Sequence, residues 1–319
     1  MGNEGMPEAD GYISVIGGAN VDIQGFPFKT LKLHDSNPGR ILVSAGGVGR
    51  NIAENTARLG LHTKFISLLG ADLYGEMIME ECQGAGIDMR HVETLPGETT
   101  GTYLSVLDES GDMEVAISHM AIYDRMDWQF IDRHKDAIEH SALVVLDTNL
   151  PEAVIRHILS SVGRQKFIVD TVSTAKALKI REFLGSFHTV KPNRLEAQAL
   201  TGIQITDRDS LERTADFFHA KGVRNVFISL AADGTYYSDQ ESRGIMQAHQ
   251  LEIINATGAG DAFIAGLVLG NLRGWDMRTK TRFAIGASLM ALAHRDTINP
   301  ELSEDKINQV IQAAEITDE

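Results

Sequence analysis

The sequence predicts an α/β fold with a mainly parallel central sheet covered by helices on both faces and a small separate β-sheet beside it. Three observations carry this. From residue 126 onward, short apolar runs alternate with segments of helical period, and there is no tandem repeat. The runs are apolar throughout, as in strands buried on both faces. Between residues 98 and 120, two segments with alternating apolar residues instead flank Glu109-Ser110-Gly111-Asp112, a hairpin signature.

In chain order, Tyr12 to Ile16 reads as a buried first strand ending in Gly17-Gly18-Ala19-Asn20-Val21-Asp22. No helix follows these glycines, as a dinucleotide-binding fold would need. The chain runs through Pro27 and Ser36-Asn37-Pro38-Gly39 to Arg40-Ile41-Leu42-Val43. Ala45-Gly46-Gly47-Val48-Gly49-Arg50-Asn51 then leads into a helix that closes on Gly60, a residue suited to a C-cap. Thr63 to Gly70 is a strand and Leu73 to Gln83 a helix. The 102–117 hairpin, paired with extended segments near 21–28 and 39–43, is expected to form the small sheet, a lid with an exposed apolar face suited to self-association.

Helices near 127–138, 152–161 and 210–221, and one starting near Arg194, alternate with strands at 142–147, 167–170, before Lys191, and at 226–230. Asp233-Gly234 reads as a turn into Thr235-Tyr236-Tyr237, expected to be the final antiparallel edge, and three helices fill the C-terminal third. No linker divides the chain, so residues 11–316 are expected to form one domain, with lid segments near 21–43 and 98–120.

Composition prunes functions. The 319-residue chain carries a formal charge of −15, which argues against a nucleic-acid surface but not against a small phosphorylated ligand. Cys82 is the only cysteine, so no intrachain disulfide forms. The first residues are polar and acidic, without a signal-peptide core, and no apolar run is long enough to span a bilayer; the expectation is a cytoplasmic protein with no membrane partner. Zinc motifs, a Gly-x-Ser-x-Gly elbow, a Gly-Lys-Ser/Thr P-loop and protein-kinase signatures are all missing from the sequence.

The chemistry concentrates in Asn255-Ala256-Thr257-Gly258-Ala259-Gly260-Asp261-Ala262-Phe263, a loop entering an apolar helix. The first N–H groups of a helix lack partners, and Gly258 and Gly260 let a phosphate approach the backbone. Asp261 makes sense there if it deprotonates a hydroxyl while the loop holds the developing charge, or else it only decorates the helix N-terminus. Asn51 offers both a donor and an acceptor for sugar hydroxyls, or sits on a solvated face. Arg50 either favours a larger polar substrate or lies on the helix surface. Asn193 and Glu196, three apart at a helix start, either act on a hydrated magnesium ion or form a capping pair.

Taken together, Gly46 to Asn51, Asn193-Arg194-Leu195-Glu196 and Asn255 to Phe263 resemble, in order, the two signatures and the Asn-x-x-Glu motif of the ribokinase-like (PfkB) sugar kinases, over essentially the whole chain. The resemblance implies a ribokinase-like three-layer sandwich with a small β lid, and ATP-dependent phosphorylation with magnesium. It implies Asp261 as the base, Gly258, Ala259 and Gly260 as the anion hole, and Asn193 and Glu196 acting on magnesium and the nucleotide phosphates. Asn20, Asp22, Gly46, Gly47 and Asn51 would hold the sugar hydroxyls, with Ser118 and Met120 of the lid touching the base. Ser229, Ala231 and Gly234 fall in the nucleotide-contacting segment, where Ala231 replaces a usual glycine. Potassium-activated members carry Asp at the position of Asn255, two residues before Thr257, with backbone oxygens from a loop matching 296–299; the neutral amide weakens such a site here.

Within the family, the motif neighbourhoods look most like those of the bacterial pseudouridine kinases, which implies transfer to the 5′-hydroxyl of that C-nucleoside; the alternating apolar face of the lid hairpin separately leads us to expect a homodimer through the lid. A kinase for another nucleoside, ribose or fructose is the alternative. A non-catalytic nucleotide-binding regulator is disfavoured by the intact Asp261.

Overall fold

The computed structural model describes residues 11–163, 166–249 and 253–319. The first half of the chain runs β1 (Ile13–Ile16), β2 (Asn20–Pro27), β3 (Gly39–Gly46), α1 (Val48–Arg58), β4 (Thr63–Gly70), α2 (Leu73–Gly84), β5 (Asp88–Leu95), β6 (Gly101–Leu107) and β7 (Met113–His119). It continues with α3 (Trp128–Glu139), β8 (Leu143–Asp147), α4 (Glu152–Ser161), β9 (Phe167–Asp170) and α5 (Thr174–Ala177). Next come β10 (Thr189–Lys191), α6 (Arg194–Thr201), α7 (Arg208–Lys221), β11 (Asn225–Ser229), β12 (Thr235–Ser238) and β13 (Arg243–His249). The chain ends with α8 (Ala259–Leu272), α9 (Met277–Leu292), α10 (Glu304–Ala313) and β14 (Glu315–Asp318).

The main sheet has the order β14-β13-β12-β11-β10-β9-β8-β1-β4-β5, and β11 through β5 are parallel. Alternate residues of each strand supply two cores. Val144 and Leu146 of β8 pack with α3, α4, α6 and α7, while Leu143 and Val145 pack with α1 and α2 on the other face. Helices α8 and α9 complete that second layer, packed against β11 to β13. The result is a helix–sheet–helix sandwich, as the unbroken apolar strands require. The chain leaves β1 towards β4 and β5, then returns to β8 on the other side, so the carboxyl ends of β1 and β8 flank a topological switch point.

The second sheet has the order β3-β2-β6-β7, with β2 and β6 parallel and the outer pairs antiparallel. Cross-strand partners share a face, so its register sorts its two sides. Ser44, Asp22, Tyr103 and Ser118 form one row; Val43, Ile23, Leu104 and Ile117 form the next, on the opposite face.

Two sequence expectations are corrected. Thr235–Ser238 is not the final edge, because β13 and β14 add beyond it. Arg50 is not on the helix surface but buried. Strand β5 was also missed. The overlooked strands lie at sheet margins, where one side meets solvent and the sequence mixes charged with apolar residues, as in Asp88-Met89-Arg90-His91-Val92-Glu93. Among the described residues, no helix is long and apolar enough to cross a membrane.

Candidate active site

Most helices begin at an Asp, Asn or Ser whose side chain caps the first turn, as Asp72, Asp127, Asp207, Asp276 and Ser303 do. Helices α1 and α8 differ. They start from Gly47 (φ 97°) and Gly258 (φ 84°), with no side-chain cap; in α1 the Arg50 N–H donates to the Gly18 carbonyl at 3.0 Å, whereas the first N–H groups of α8 remain available to a ligand. A Cβ on Gly258 would fall 2.1 Å from the Thr297 carbonyl oxygen, so this turn excludes any other residue. The two helices pack together, and one hydrogen bond joins their first turns: Asn51 Nδ2 donates to Asp261 Oδ2 at 2.8 Å. The two glycine loops, about 210 residues apart, thus form one site.

Around the start of α1, Asn20 Nδ2 donates to Asp22 Oδ1 at 2.7 Å. A Cβ on Gly46 would fall 2.2 Å from Asp22 Oδ2, so the glycine makes room for that carboxylate. Ser118 lies on the Asp22 face of the small sheet, and Met120 sits over Gly101 beside Asn20. Asn20, Asp22, Gly46, Gly47, Asn51 and Met120 are therefore brought together, with Ser118 further out and exposed on the edge strand.

Asp261 is buried, and burial raises its carboxyl from an ordinary 3.8 to about 8; Asp170 and Asp147 push in the same direction, while the Asn51 hydrogen bond and Lys191 oppose. Lys191, at the end of β10, lies 3.6 Å from Asp170 Oδ2, and a Cβ on Gly260 would come within 3.0 Å of its ammonium. Asp147 at the end of β8 accepts from the Gly18 N–H at 2.8 Å and is also raised, chiefly by burial. Asp22 is raised by burial too, with Asn20 and Arg50 opposing. Sequence reasoning assigned no role to Lys191, Asp170 or Asp147. The available signal was that each ends a short apolar strand on the edge where open α/β sheets bind ligands.

Asn193 and Glu196 do form the capping box: the Glu196 N–H donates to Asn193 Oδ1 at 2.9 Å, and Glu196 Oε2 accepts from the Asn193 N–H at 2.8 Å. Glu196 Oε2 also accepts from Thr171 Oγ1 at 2.6 Å, and Oε1 from Asn193 Nδ2 at 2.8 Å. Asn193 pairs with Ser229, which brings the β10 and β11 ends together, and Ala231 and Gly234 follow in a tight turn with φ of 56° and 91°. Asn255 Nδ2 donates to the Arg295 carbonyl at 3.0 Å, and Asn255 Oδ1 accepts from the Thr257 N–H at 2.9 Å. Asn255 is half-buried and Thr257 is exposed, on the Gly258 side of the site.

The sequence profile described as "pfkB family carbohydrate kinase" matches residues 10–304. The chain belongs to the PfkB family. It is 38% identical to the pseudouridine kinase of Escherichia coli over 311 residues, covering 97% of this chain and 99% of that protein. Identity to a Haemophilus influenzae ribokinase is 25% over 285 residues, 89% of this chain and 92% of that protein. Among solved structures, a Clostridium perfringens protein superposes with a TM-score of 0.89 at 37% identity, covering 98% and 99% of the two chains. Arabidopsis thaliana ribokinase complexed with ribose and ATP gives 0.87 at 22% identity, covering 95% and 99%. This PfkB chain is an ATP-dependent sugar or nucleoside kinase, and its acceptors are small molecules.

Proposed function

We propose that this kinase transfers the γ-phosphoryl group of ATP to the 5′-hydroxyl of pseudouridine, giving pseudouridine 5′-phosphate. The observation that carries the reading is the buried Asp261 at the uncapped start of α8, hydrogen-bonded to Asn51 in the first turn of α1. Asp261 Oδ takes the hydroxyl proton as the oxygen attacks phosphorus in line; the new O–P bond forms while the bond to the β-phosphate oxygen breaks and ADP leaves. The backbone N–H groups at Gly258, Ala259 and Gly260 receive the charge on the transferring group, aided by the helix dipole. Asn20, Asp22 and the Gly46–Gly47 backbone hold the sugar hydroxyls, and Ser118 and Met120 face the base from the lid.

Ser229, Ala231 and Gly234 contact the nucleotide beside Asn193. One carboxylate and one amide already committed to a cap suit a magnesium ion that keeps its waters, so Asn193 and Glu196 would hold it through those waters. When bound, magnesium neutralises phosphate charge. Asn255 and Thr257 mark the place of the family's monovalent-cation site. The Asn255 amide here donates to the Arg295 carbonyl, a bond that an ionised Asp cannot make. Turnover independent of potassium is expected, checked by replacing potassium with tetramethylammonium.

The 38% identity to a pseudouridine kinase favours that acceptor. An ATP-consumption screen over pseudouridine, uridine, adenosine, inosine, ribose and fructose tests it. Pseudouridine should give the highest kcat/KM; faster turnover of ribose or fructose would overturn the substrate assignment and leave the kinase. We further propose a homodimer through the lid's outer face, where Ile41, Val43, Leu104, Val115 and Ile117 are exposed. Light scattering at micromolar concentration checks this, and a monomer would remove it. The reaction belongs in the cytoplasm, where ATP is available.

A further inference from the structure

Arg50 directly precedes Asn51 in α1 and is only 5% exposed despite its charge. Its guanidinium reaches three elements. Nη2 lies 2.5 Å from Glu54 Oε2 one turn along α1 and 3.4 Å from Glu81 Oε2 on α2. Nη1 donates to the Ala45 carbonyl of β3 at 3.4 Å and to Asn51 Oδ1 at 3.2 Å. Cys82 of α2 and Asp22 of β2 also lie within its field. A buried ion pair is seldom kept for stability alone, since apolar packing of equal volume serves as well.

The contact with Asn51 has a chemical consequence. An arginine carries donors only, so the Asn51 atom facing it must be the amide oxygen. The amide's NH2 is then left to face Asp261 Oδ2, where it lies at 2.8 Å. Released from Nη1, the amide is free to turn over and point its oxygen at the carboxyl, which favours the protonated acid.

We propose that Arg50 is a positioning residue for phosphoryl transfer: it fixes the orientation of the Asn51 amide, which in turn holds Asp261. The proposal rests on reading Asp261 as the base. It separates Arg50 from a residue that merely ties α1 to α2 through Glu54 and Glu81. The other charged groups facing Asp261 are Asp170 at the end of β9, Asp147 at the end of β8 and Lys191 at the end of β10, and none of them touches Arg50.

The test is a carboxyl-carbon NMR titration of aspartate-labelled, unliganded protein, with the Asp261 signal identified by its loss in Asp261→Asn. Arg50→Lys keeps the charge beside Glu54 but loses the planar fork. In this variant the Asp261 midpoint should rise by about half a pH unit or more. Asn51→Ala should raise it similarly, and adding Arg50→Lys to Asn51→Ala should move it no further, the non-additivity expected of residues acting in series. The acidic limb of kcat/KM for the acceptor should follow the same shifts. An unmoved midpoint in Arg50→Lys, or a full additional shift in the Asn51→Ala background, overturns the proposal. If Arg50→Lys does not fold, the pair Arg50→Gln and Glu54→Gln, which leaves no lone carboxylate at position 54, serves for the same titration. Because the titration needs no substrate, a wild-type protein that phosphorylated no nucleoside or sugar would sink the proposed function separately, while the midpoints still decided the role of Arg50.

Discussion

Replacing Asp261 with Asn should remove activity and raise stability together, and the pH dependence of the gain identifies the cause. The Asp261 carboxyl titrates near 8 in the folded protein against 3.8 when unperturbed, because burial and the neighbouring Asp170 disfavour its charge. Between these values the folded chain holds a proton that the unfolded chain has released, so stability falls as pH rises through the interval and levels off above about 8. At about 1.4 kcal/mol per pH unit, the penalty at pH 7 is on the order of 4 kcal/mol. Asn resembles the protonated acid at every pH, and its Oδ1 can accept the same bond from Asn51. Urea unfolding at pH 3, 5, 7 and 9 should therefore show wild type and variant alike at pH 3, with a gap that widens up to pH 8 and then stays constant. Phosphoryl transfer by the variant should fall by about 10²–10⁴-fold, as for loss of a general base, with ATP binding retained. A pH-independent gap would refute the electrostatic account, and turnover like wild type would refute the assignment of the base.

Gly46→Ala should push Asp22 out of place and raise the acceptor KM about 10-fold or more while leaving the ATP KM unchanged, measured by initial rates, because the new Cβ overlaps Asp22 Oδ2. Ala231→Gly should stabilise the protein by about 1 kcal/mol in thermal or urea unfolding, since Ala231 sits at φ 56°, where a side chain is strained. Glu196→Gln should raise the magnesium concentration for half-maximal rate and cost about 1–2 kcal/mol of stability, because this carboxylate caps Asn193 and accepts from Thr171. Unchanged magnesium dependence would remove Glu196 from the nucleotide end.

Much of the fold was legible in the sequence because the inner strands are apolar on both sides and most helices carry their own start signals, as with the helix expected near 127–138 and found at Trp128–Glu139, capped by Asp127. The site loops were legible for a similar local reason: Gly46-Gly47 and Gly258 answer to backbone demands made within a few residues. The margins were not legible. Strands β5, β13 and β14 gain their partners only from the assembled sheet, and β14 is four residues at the end of the chain. Arg50 illustrates the same limit at the site. On a helix, a charged residue is ordinarily solvated, and only the packing of α2 and β3 against α1 encloses it beside Asn51.

The sequence by itself therefore determined the layered α/β architecture, the two glycine-led helix starts and the presence of a carboxylate at the second, since each depends on local period, backbone freedom and residue type. Only the tertiary structure decided that Asn51 and Asp261 meet, that Asp147, Asp170 and Lys191 surround them, and that the Asp261 carboxyl titrates near 8. These depend on burial and on distances between groups far apart in the chain, and electrostatic coupling acts through space.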